Sequence, residues 1–509
     1  MTVIISMLKN KSGRKLLMVV AIASVCNSYE AYAQSFEEYK NRVQSKYNQY
    51  KSEKEREFKE YRDRINAEFA EYMRQRWPEY QSKPAVPVPD SPEPPRPVVK
   101  EPDTPPSNDP VPFDKVTPAP KPVEPPQPVA PLPKPEPQPA TPTKPTFAFT
   151  FYGVKCQIPL EANHQFKLAG TTENNVADGW KTLSSDKYLP VIAQCLDYRD
   201  KLRLGDWGYV RFVEKMTTTF FPSSQLNEAR LMQMFILTQS GYKVRIAETG
   251  NRLVLLLPSK ENVYQYSYLP INGSNYYVID SSRGQRSFRV FDREFPKEQY
   301  FSLRMAEPPS LPVSKTTPRH LQSRHDKDVS VNVCVNKNLI DFYDDYPLSD
   351  HWDIYAKTSL SELAKEQLYP VLRNSIAGKD KPTAANILLH FVQTAFEYAT
   401  DDKQFGTERP LFADETLSYP YSDCEDRAIL FSVLVRELLG LDVVLLHYPG
   451  HLATAVCFDT TVSGDYLQVN NKHYTVCDPT YINADIGQSM PQYKQTPARV
   501  IFLPHLKTS

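Results

Sequence analysis

Proline divides this chain before anything else can. More than half of its 46 prolines fall between Pro78 and Pro145, with Glu, Lys, Thr and Val between them rather than apolar runs. Proline removes a backbone donor and fixes φ, so such a stretch makes neither helix interior nor central strand and buries no core. Residues 80–145 therefore read as a disordered linker of extended polyproline II character. Fully extended, it would reach about 200 Å. A PxxP ligand or a glycosylated stalk are the other meanings of such a composition. Folding is confined to the segments on either side of it. Residues 146–509 hold enough chain for two cores, at roughly 100–200 residues per domain.

Two different segments precede the prolines. Residues 1–33 have the layout of a secretory signal peptide: Lys9, Lys11, Arg14 and Lys15, then an apolar run over 16–25, then Ala31-Tyr32-Ala33 before a cleavage point at Gln34. The run is short for a membrane anchor, and Val25 is not the small residue that lipid attachment at Cys26 requires. The expected location is secreted, periplasmic or cell-envelope, and the chain is not expected to be transmembrane. Residues 36–79 then repeat an 11-residue unit four times: FEEYKNRVQSK, YNQYKSEKERE, FKEYRDRINAE, FAEYMRQRWPE. A period of 11 is about 3.67 residues per turn, so residues 34–79 are expected to form one long helix ended by Pro78, with a single aromatic stripe. A lone striped helix is a poor monomer. Coiled-coil self-association or docking on a partner is favoured over a Tyr-rich face for an envelope polymer.

Lysine plus arginine equals aspartate plus glutamate, 60 each, which argues against nucleic acid as the main partner. Of 7 cysteines, Cys26 leaves with the signal. The remaining six are too few for a disulfide scaffold in a chain this long, and no CxxC or His cluster marks zinc. No cofactor and no metal are expected. A calcium requirement is the alternative, because acidic residues gather at Asp401-Asp402 and Asp414-Glu415, although without an EF-hand pattern.

The segment YSDCEDRAILFSVLVRELLG (421–440) carries the chemistry. Ser422 and Asp423 signal a helix start, apolar residues recur at helical spacing, and Gly440 closes the helix. Cys424 thus sits in a first turn, where orphan N–H groups and the helix dipole favour a thiolate, opposed in part by Glu425 and Asp426. Strand-like runs come next. His451 opens one and Asp478 closes another. Antiparallel pairing of the two would set that His beside that Asp, facing the helix that bears the Cys. Nucleophilic thiol catalysis needs these three groups. Alone, each has a plainer meaning: a buried small hydrophobe, a structural His, a turn Asp. His447 is the rival base. Cys457 and Cys477 fall on the strands expected to pair. They are a disulfide or two buried thiols, and the geometry of neighbouring strands favours thiols.

DCEDRA at a helix start, GH opening a strand and DPT closing another resemble the transglutaminase-like superfamily of papain-like fold, over roughly residues 360–509. The resemblance implies an α+β fold with a Cys-bearing helix on an antiparallel sheet. It implies Cys424 as nucleophile, His451 as general base and acid, and Asp478 as the orienting carboxylate. Many members carry Trp shortly after the His; here Leu452-Ala453 stands there. One oxyanion donor is the Cys424 N–H, and Gln393 or Tyr419 is the candidate for another.

The middle of the chain echoes its end. Tyr188-Leu-Pro190 parallels Leu368-Tyr-Pro370, Asn227-Glu-Ala-Arg230 parallels Cys424-Glu-Asp-Arg427, Gly250-Asn-Arg252 stands where Gly450-His451 stands, and Asp280 matches Asp478. Residues 146–285 are expected to be a degenerate copy, with Asn227 and Arg252 at the Cys and His positions; an unrelated α/β domain is the alternative. An amide cannot attack and a guanidinium cannot accept a proton. Residues 286–350 read as connecting β structure, with strands over 287–291, 329–335 and 339–343 and an exposed loop over 313–328. Residues 351–509 form the expected catalytic domain.

The expected function is an exported thiol enzyme acting on peptide or amide bonds through an acyl-thioester, on a protein or peptide substrate such as cell-wall peptide. Hydrolysis is favoured over crosslinking, since water abounds outside the cell and nothing marks a dry amine tunnel. The rival is a non-catalytic envelope binding or scaffold protein with a relic triad.

Overall fold

The structure is a computed structural model that describes residues 11–88, 116–118, 147–279 and 287–503. It is mixed α+β, with helices and antiparallel sheets. The chain forms two compact units, Met1–Phe69 and Ala70–Ser509.

Helix α1 (Lys11–Met73) makes up the described part of the first unit, its last residues falling in the second. Its backbone passes through the expected cleavage point; residues 1–10 of the expected targeting segment lie outside the described residues. Val43, Tyr47, Tyr50 and Tyr61 are exposed, whereas Phe69 of the same stripe is buried. Pairs one turn apart, Lys54–Glu57 (2.7 Å) and Arg64–Glu68 (3.3 Å), decorate the rest. The helix ends at Met73, not at Pro78. The Trp77 indole N–H donates to the Met73 carbonyl (2.9 Å), satisfying an acceptor of the last turn.

The Pro-rich stretch is not all spacer. β1 (Glu79–Gln81) and β2 (Val116–Pro118) each add an outermost strand to a sheet, while 89–115 and 119–146 lie outside the described residues. An edge position leaves one side of a strand unpaired, so Pro118 is tolerated there.

The first lobe starts with hairpin β3 (Phe147–Phe151) and β4 (Val154–Ile158). Four helices come after it: α2 (Glu173–Leu183), α3 (Leu189–Lys201), α4 (Gly205–Phe220) and α5 (Leu226–Gln239). Thr172 caps α2 and Pro190 stands in the first turn of α3. Then come β5 (Arg245–Thr249), β6 (Arg252–Ser259), β7 (Tyr268–Ile271), β8 (Ser274–Val278) and β9 (Ser287–Phe291). Helix α5 is buried almost all round, because it lies between α4 and the sheet.

The second lobe starts with hairpin β10 (Arg319–Gln322) and β11 (Ser330–Val333). Its helices begin with α6 (Lys337–Asp344), α7 (Asp353–Ala356), α8 (Glu362–Ile376) and α9 (Lys381–Thr394). Next come β12 (Glu397–Tyr398), α10 (Asp401–Gln404), α11 (Ala413–Ser418), β13 (Tyr421–Ser422) and α12 (Cys424–Leu439). The strands β14 (Asp442–Tyr448), β15 (His451–Cys457), β16 (Tyr466–Val469), β17 (Lys472–Cys477) and β18 (Ala498–Leu503) close it. Two expectations for 286–350 are corrected. Residues 339–343 lie in helix α6, capped by Asn336, because Leu339, Ile340 and Tyr343 share a helical face. The expected loop over 313–328 contains β10, whose Leu321 is fully buried. Strand β9 belongs to the first sheet, so that lobe runs past residue 285.

The two six-stranded sheets share one order: β1-β9-β5-β6-β8-β7 and β2-β18-β14-β15-β17-β16. In each, a buried helix precedes a central hairpin and packs on it. Registers agree as well. Thr249 faces Arg252 as Tyr448 faces His451. Three residues further on, Ile279 donates to the Leu255 carbonyl (3.0 Å), where Thr454 faces Cys477. Asp280, the counterpart expected for Asp478, lies outside the described residues. One difference is that β2 runs parallel to β18, whereas β1 runs antiparallel to β9.

The loop after β15 is held by a backbone contact that only glycine permits. Gly464 has φ +110°, and a Cβ there would stand 2.3 Å from the Gly487 carbonyl oxygen. Beside it the Asp465 N–H donates to that carbonyl (2.8 Å). Gly464→Ala is expected to cost about 1–3 kcal/mol in strain alone, visible as a lowered thermal midpoint. Gly378→Ala, at φ +69° with nothing within 4 Å of its Cβ, is the milder control. Equal midpoints for the two variants would contradict the close approach.

Candidate active site

Helix α12 begins inside the protein. Cys424, Glu425, Asp426 and Arg427 are all buried, as is Asp423 before them. Asp426 ties the start down by accepting from the Asp423 N–H (3.3 Å) and the Leu411 N–H (3.0 Å). Gly440, at φ +64°, ends the helix in the left-handed turn its sequence calls for. The turn at Pro449-Gly450 then reverses the chain, with Gly450 at φ +72°. This sets His451 at the first position of β15, and Asp478 comes directly after the last residue of β17.

The structure brings Cys424, His451 and Asp478 together. His451 Nε2 is 2.9 Å from Asp478 Oδ2. The other oxygen, Oδ1, accepts the Thr480 N–H (2.9 Å), so the Asp-Pro-Thr turn fixes the carboxylate. His451 Nδ1 is buried and makes no hydrogen bond among the described residues. Burial alone would lower the His451 pKa. The Asp478 charge and hydrogen bond, with an added contribution from the Cys424 thiol, outweigh it and raise the pKa to about 10. The Cys424 thiol itself donates to Glu425 Oε2 (3.0 Å).

Tyr493, which no sequence motif marks, stacks on the His451 ring at 4.7 Å and 16°. It also packs against Tyr448 at 4.8 Å. These contacts fix the imidazole plane from the side that Asp478 does not hold.

The rival groups are elsewhere. His447 adjoins Tyr448 and so points to the opposite sheet face from His451. There it meets Trp352 at 5.9 Å, and burial lowers its pKa to about 4. Gln393 Nε2 lies within hydrogen-bond distance of the carbonyls of Asp478 (3.1 Å), Tyr481 (2.8 Å) and Ala484 (3.0 Å). It is a brace for the Asp478 loop rather than an oxyanion donor. The Tyr419 hydroxyl donates to Asp344 Oδ1 (2.8 Å) and is likewise engaged. Cys457 and Cys477 are free thiols, and Thr454 rather than Cys457 stands opposite Cys477. In the first lobe Asn227 Nδ2 donates to the Asn251 carbonyl (3.1 Å), and its Oδ1 accepts the Leu253 N–H (2.9 Å). The amide thus laces the helix start to the backbone on both sides of Arg252.

A second cluster adjoins the thiol. Carboxylate oxygens of Asp401, Glu408, Asp423 and Glu425 lie within 4.8 Å of one another. Asp423 Oδ1 and Glu425 Oε1 are buried without a hydrogen-bond partner among the described residues. Of the acidic residues that gather in sequence, only Asp401 belongs to this set. Asp402 lies outside it, Asp414 accepts from the Ser361 N–H (3.0 Å), and Glu415 pairs with Arg409. An all-oxygen donor set of this kind suits a hard divalent cation. Otherwise protons must neutralise it. Burial, then Asp423 and Asp426, raise Asp401 to about 11, and burial pushes Asp423, Glu425 and Asp426 well above the carboxylate range.

These shifts set the sign of the pH dependence. Burial also raises Asp414 to about 6 and Glu415 to about 8, against the hydrogen bonds from Ser361 and the charge of Arg409 respectively. Groups with raised folded pKa values stabilise fully below their unfolded values, about 4 for carboxylates and about 6.5 for His. That stability is lost as pH rises through the folded values. In the presence of chelator the thermal midpoint is therefore expected to fall from pH 5 to pH 9. Millimolar calcium at pH 8 should restore it in the wild type but not in Asp423→Asn. A midpoint that holds or rises over that range would overturn the protonated cluster. No response to calcium would leave protons alone holding it.

Comparison with protein-family models, with curated proteins and with solved structures gives no match to this chain.

Proposed function

We propose that the second lobe is a thiol hydrolase of transglutaminase-like type, acting on peptide or amide bonds through an acyl-thioester. One observation carries this: a buried thiol at a helix start beside an imidazole whose Nε2 is held by a carboxylate and whose Nδ1 is free of other partners. In this arrangement the raised His451 pKa favours an imidazolium, the partner a thiolate needs. Cys424 attacks the substrate carbonyl, and His451 delivers its Nδ1 proton to the leaving amine. Asp478 holds the ring and its charge throughout. Water then attacks the thioester, with His451 taking its proton, and the acid product leaves. The α+β architecture, a helix laid on an antiparallel sheet, agrees with a papain-like core.

The first lobe fits a copy of the same unit that has lost the chemistry. Its sheet has the same strand order, and Asn227, an amide bonded to backbone, lies in the first turn of the helix before its central hairpin. Export rests on the layout of residues 1–33, and no helix among the described residues is long and apolar enough to cross a membrane. Water as the acceptor suits an exported enzyme, and a peptide of the envelope is the substrate class proposed. The rival, a binding scaffold, draws on the first lobe, which holds no thiol at its helix start.

Iodoacetamide labelling of Cys424 at pH 6 tests the pair, because an unassisted thiol with a pKa of about 8.5 is almost wholly protonated there. Fast labelling that drops on the order of tenfold or more in His451→Ala is the expected result. Equally slow labelling of both folded proteins would sink the hydrolase and leave the scaffold.

A further inference from the structure

A thiol attacking an amide needs a donor for the carbonyl oxygen besides the nucleophile's own N–H. Gln393 and Tyr419 are both committed to other acceptors. Tyr398 is not. Its hydroxyl is buried and has no hydrogen-bond partner among the described residues. Buried polar atoms are nearly always satisfied, so an orphan hydroxyl calls for an explanation, and a missing ligand atom is one.

The position of Tyr398 is set from two directions. Strand β12 pairs in parallel with β13, with Tyr398 opposite Ser422, two residues before Cys424. From the other side Arg427, one turn into α12, donates to the carbonyls of Gln393 (3.2 Å) and Phe396 (2.9 Å) and to Ser422 Oγ (3.1 Å). Its guanidinium lies 5.3 Å from the Tyr398 ring centroid. The ring is thus fixed by the helix that carries the thiol. Burial first, and then the charge of Cys424, disfavour ionisation of the phenol, so it stays a donor at every working pH.

We propose that the Tyr398 hydroxyl is the second oxyanion donor of this site, paired with the Cys424 backbone N–H. The inference rests on the thiol-hydrolase function proposed above. As the Cys424 sulfur forms its bond to the carbonyl carbon, the C=O π pair moves onto oxygen. The Tyr398 O–H and Cys424 N–H donate to that oxygen without losing their protons. The pair returns as the C–N bond breaks, and His451 protonates the departing nitrogen. Tyr398 takes no part in activating the thiol.

That separation gives the test. Iodoacetamide reacts by displacement at a saturated carbon and builds no oxyanion. p-Nitrophenyl acetate must pass through one. In full-length Tyr398→Phe, alkylation of Cys424 should stay within about twofold of wild type. Acylation, read as the p-nitrophenol burst, should fall on the order of 10²-fold. Equal acylation in both proteins overturns the inference while leaving the hydrolase intact. Parallel loss of alkylation and acylation, with an unchanged thermal midpoint, also overturns it, because Tyr398 would then act on the thiol. Slow alkylation of the wild type, unaffected by His451→Ala, is the separate failure of the hydrolase itself. Should the Phe variant not fold, Tyr398→Trp retains an N–H donor. Acylation within about tenfold of wild type then supports the inference, and a loss on the order of 10²-fold with normal alkylation overturns it.

Discussion

The second lobe depends on one costly arrangement, a charged helix start driven into the interior. Asp423, Glu425, Asp426 and Arg427 are close neighbours of Cys424 in sequence and all are buried. Charges removed from water need partners or must neutralise. Arg427 finds its partners in two backbone carbonyls and the Ser422 hydroxyl, and burial still lowers its pKa to about 10. Asp426 accepts two backbone N–H groups. Asp423 and Glu425 each keep one oxygen without a hydrogen-bond partner among the described residues, and with Asp401 and Glu408 they form the carboxylate cluster. The segment 393–411 wraps around this start because its backbone supplies these partners. Tyr398, Asp401 and Glu408 come to the thiol through that wrapping.

Much of the site is legible in the sequence because its signals are local. A helix start before an apolar periodic run places Cys424, and strand ends at the Pro449-Gly450 turn and at Asp478-Pro479 place the other two groups. The common strand order of the lobes is foreshadowed by Gly250 and Gly450, which mark equivalent hairpins. The parts that escape a reading of the sequence depend on distant chain. Tyr493 reaches His451 from a short 3-10 helix, Pro491–Tyr493, well beyond the strand pair, and nothing local distinguishes it or Tyr398 among 31 tyrosines. Glu408 carries no signal until Asp401, Asp423 and Glu425 surround it. The strands β1 and β2 have three residues each, too short for a period of two to show against proline. Residues 339–343 fit either period, and the Asn336 cap is the clue that decides for helix.

Two lobes of one topology give an internal control on what the fold itself requires. In the first, Asn227 closes the junction of helix and hairpin with two neutral hydrogen bonds to backbone. Its neighbour Glu228 is satisfied by the Leu168 N–H (2.8 Å). An arrangement of helix on hairpin therefore forms without a buried acidic cluster and without a thiol. The charges around Cys424 are then not a requirement of the architecture. They raise the electrostatic cost of the second lobe, and a group such as Asp401, held at about 11 by burial and by Asp423 and Asp426, records that cost. The first lobe avoids that buried cost; in the second it is concentrated on the residues that surround Cys424.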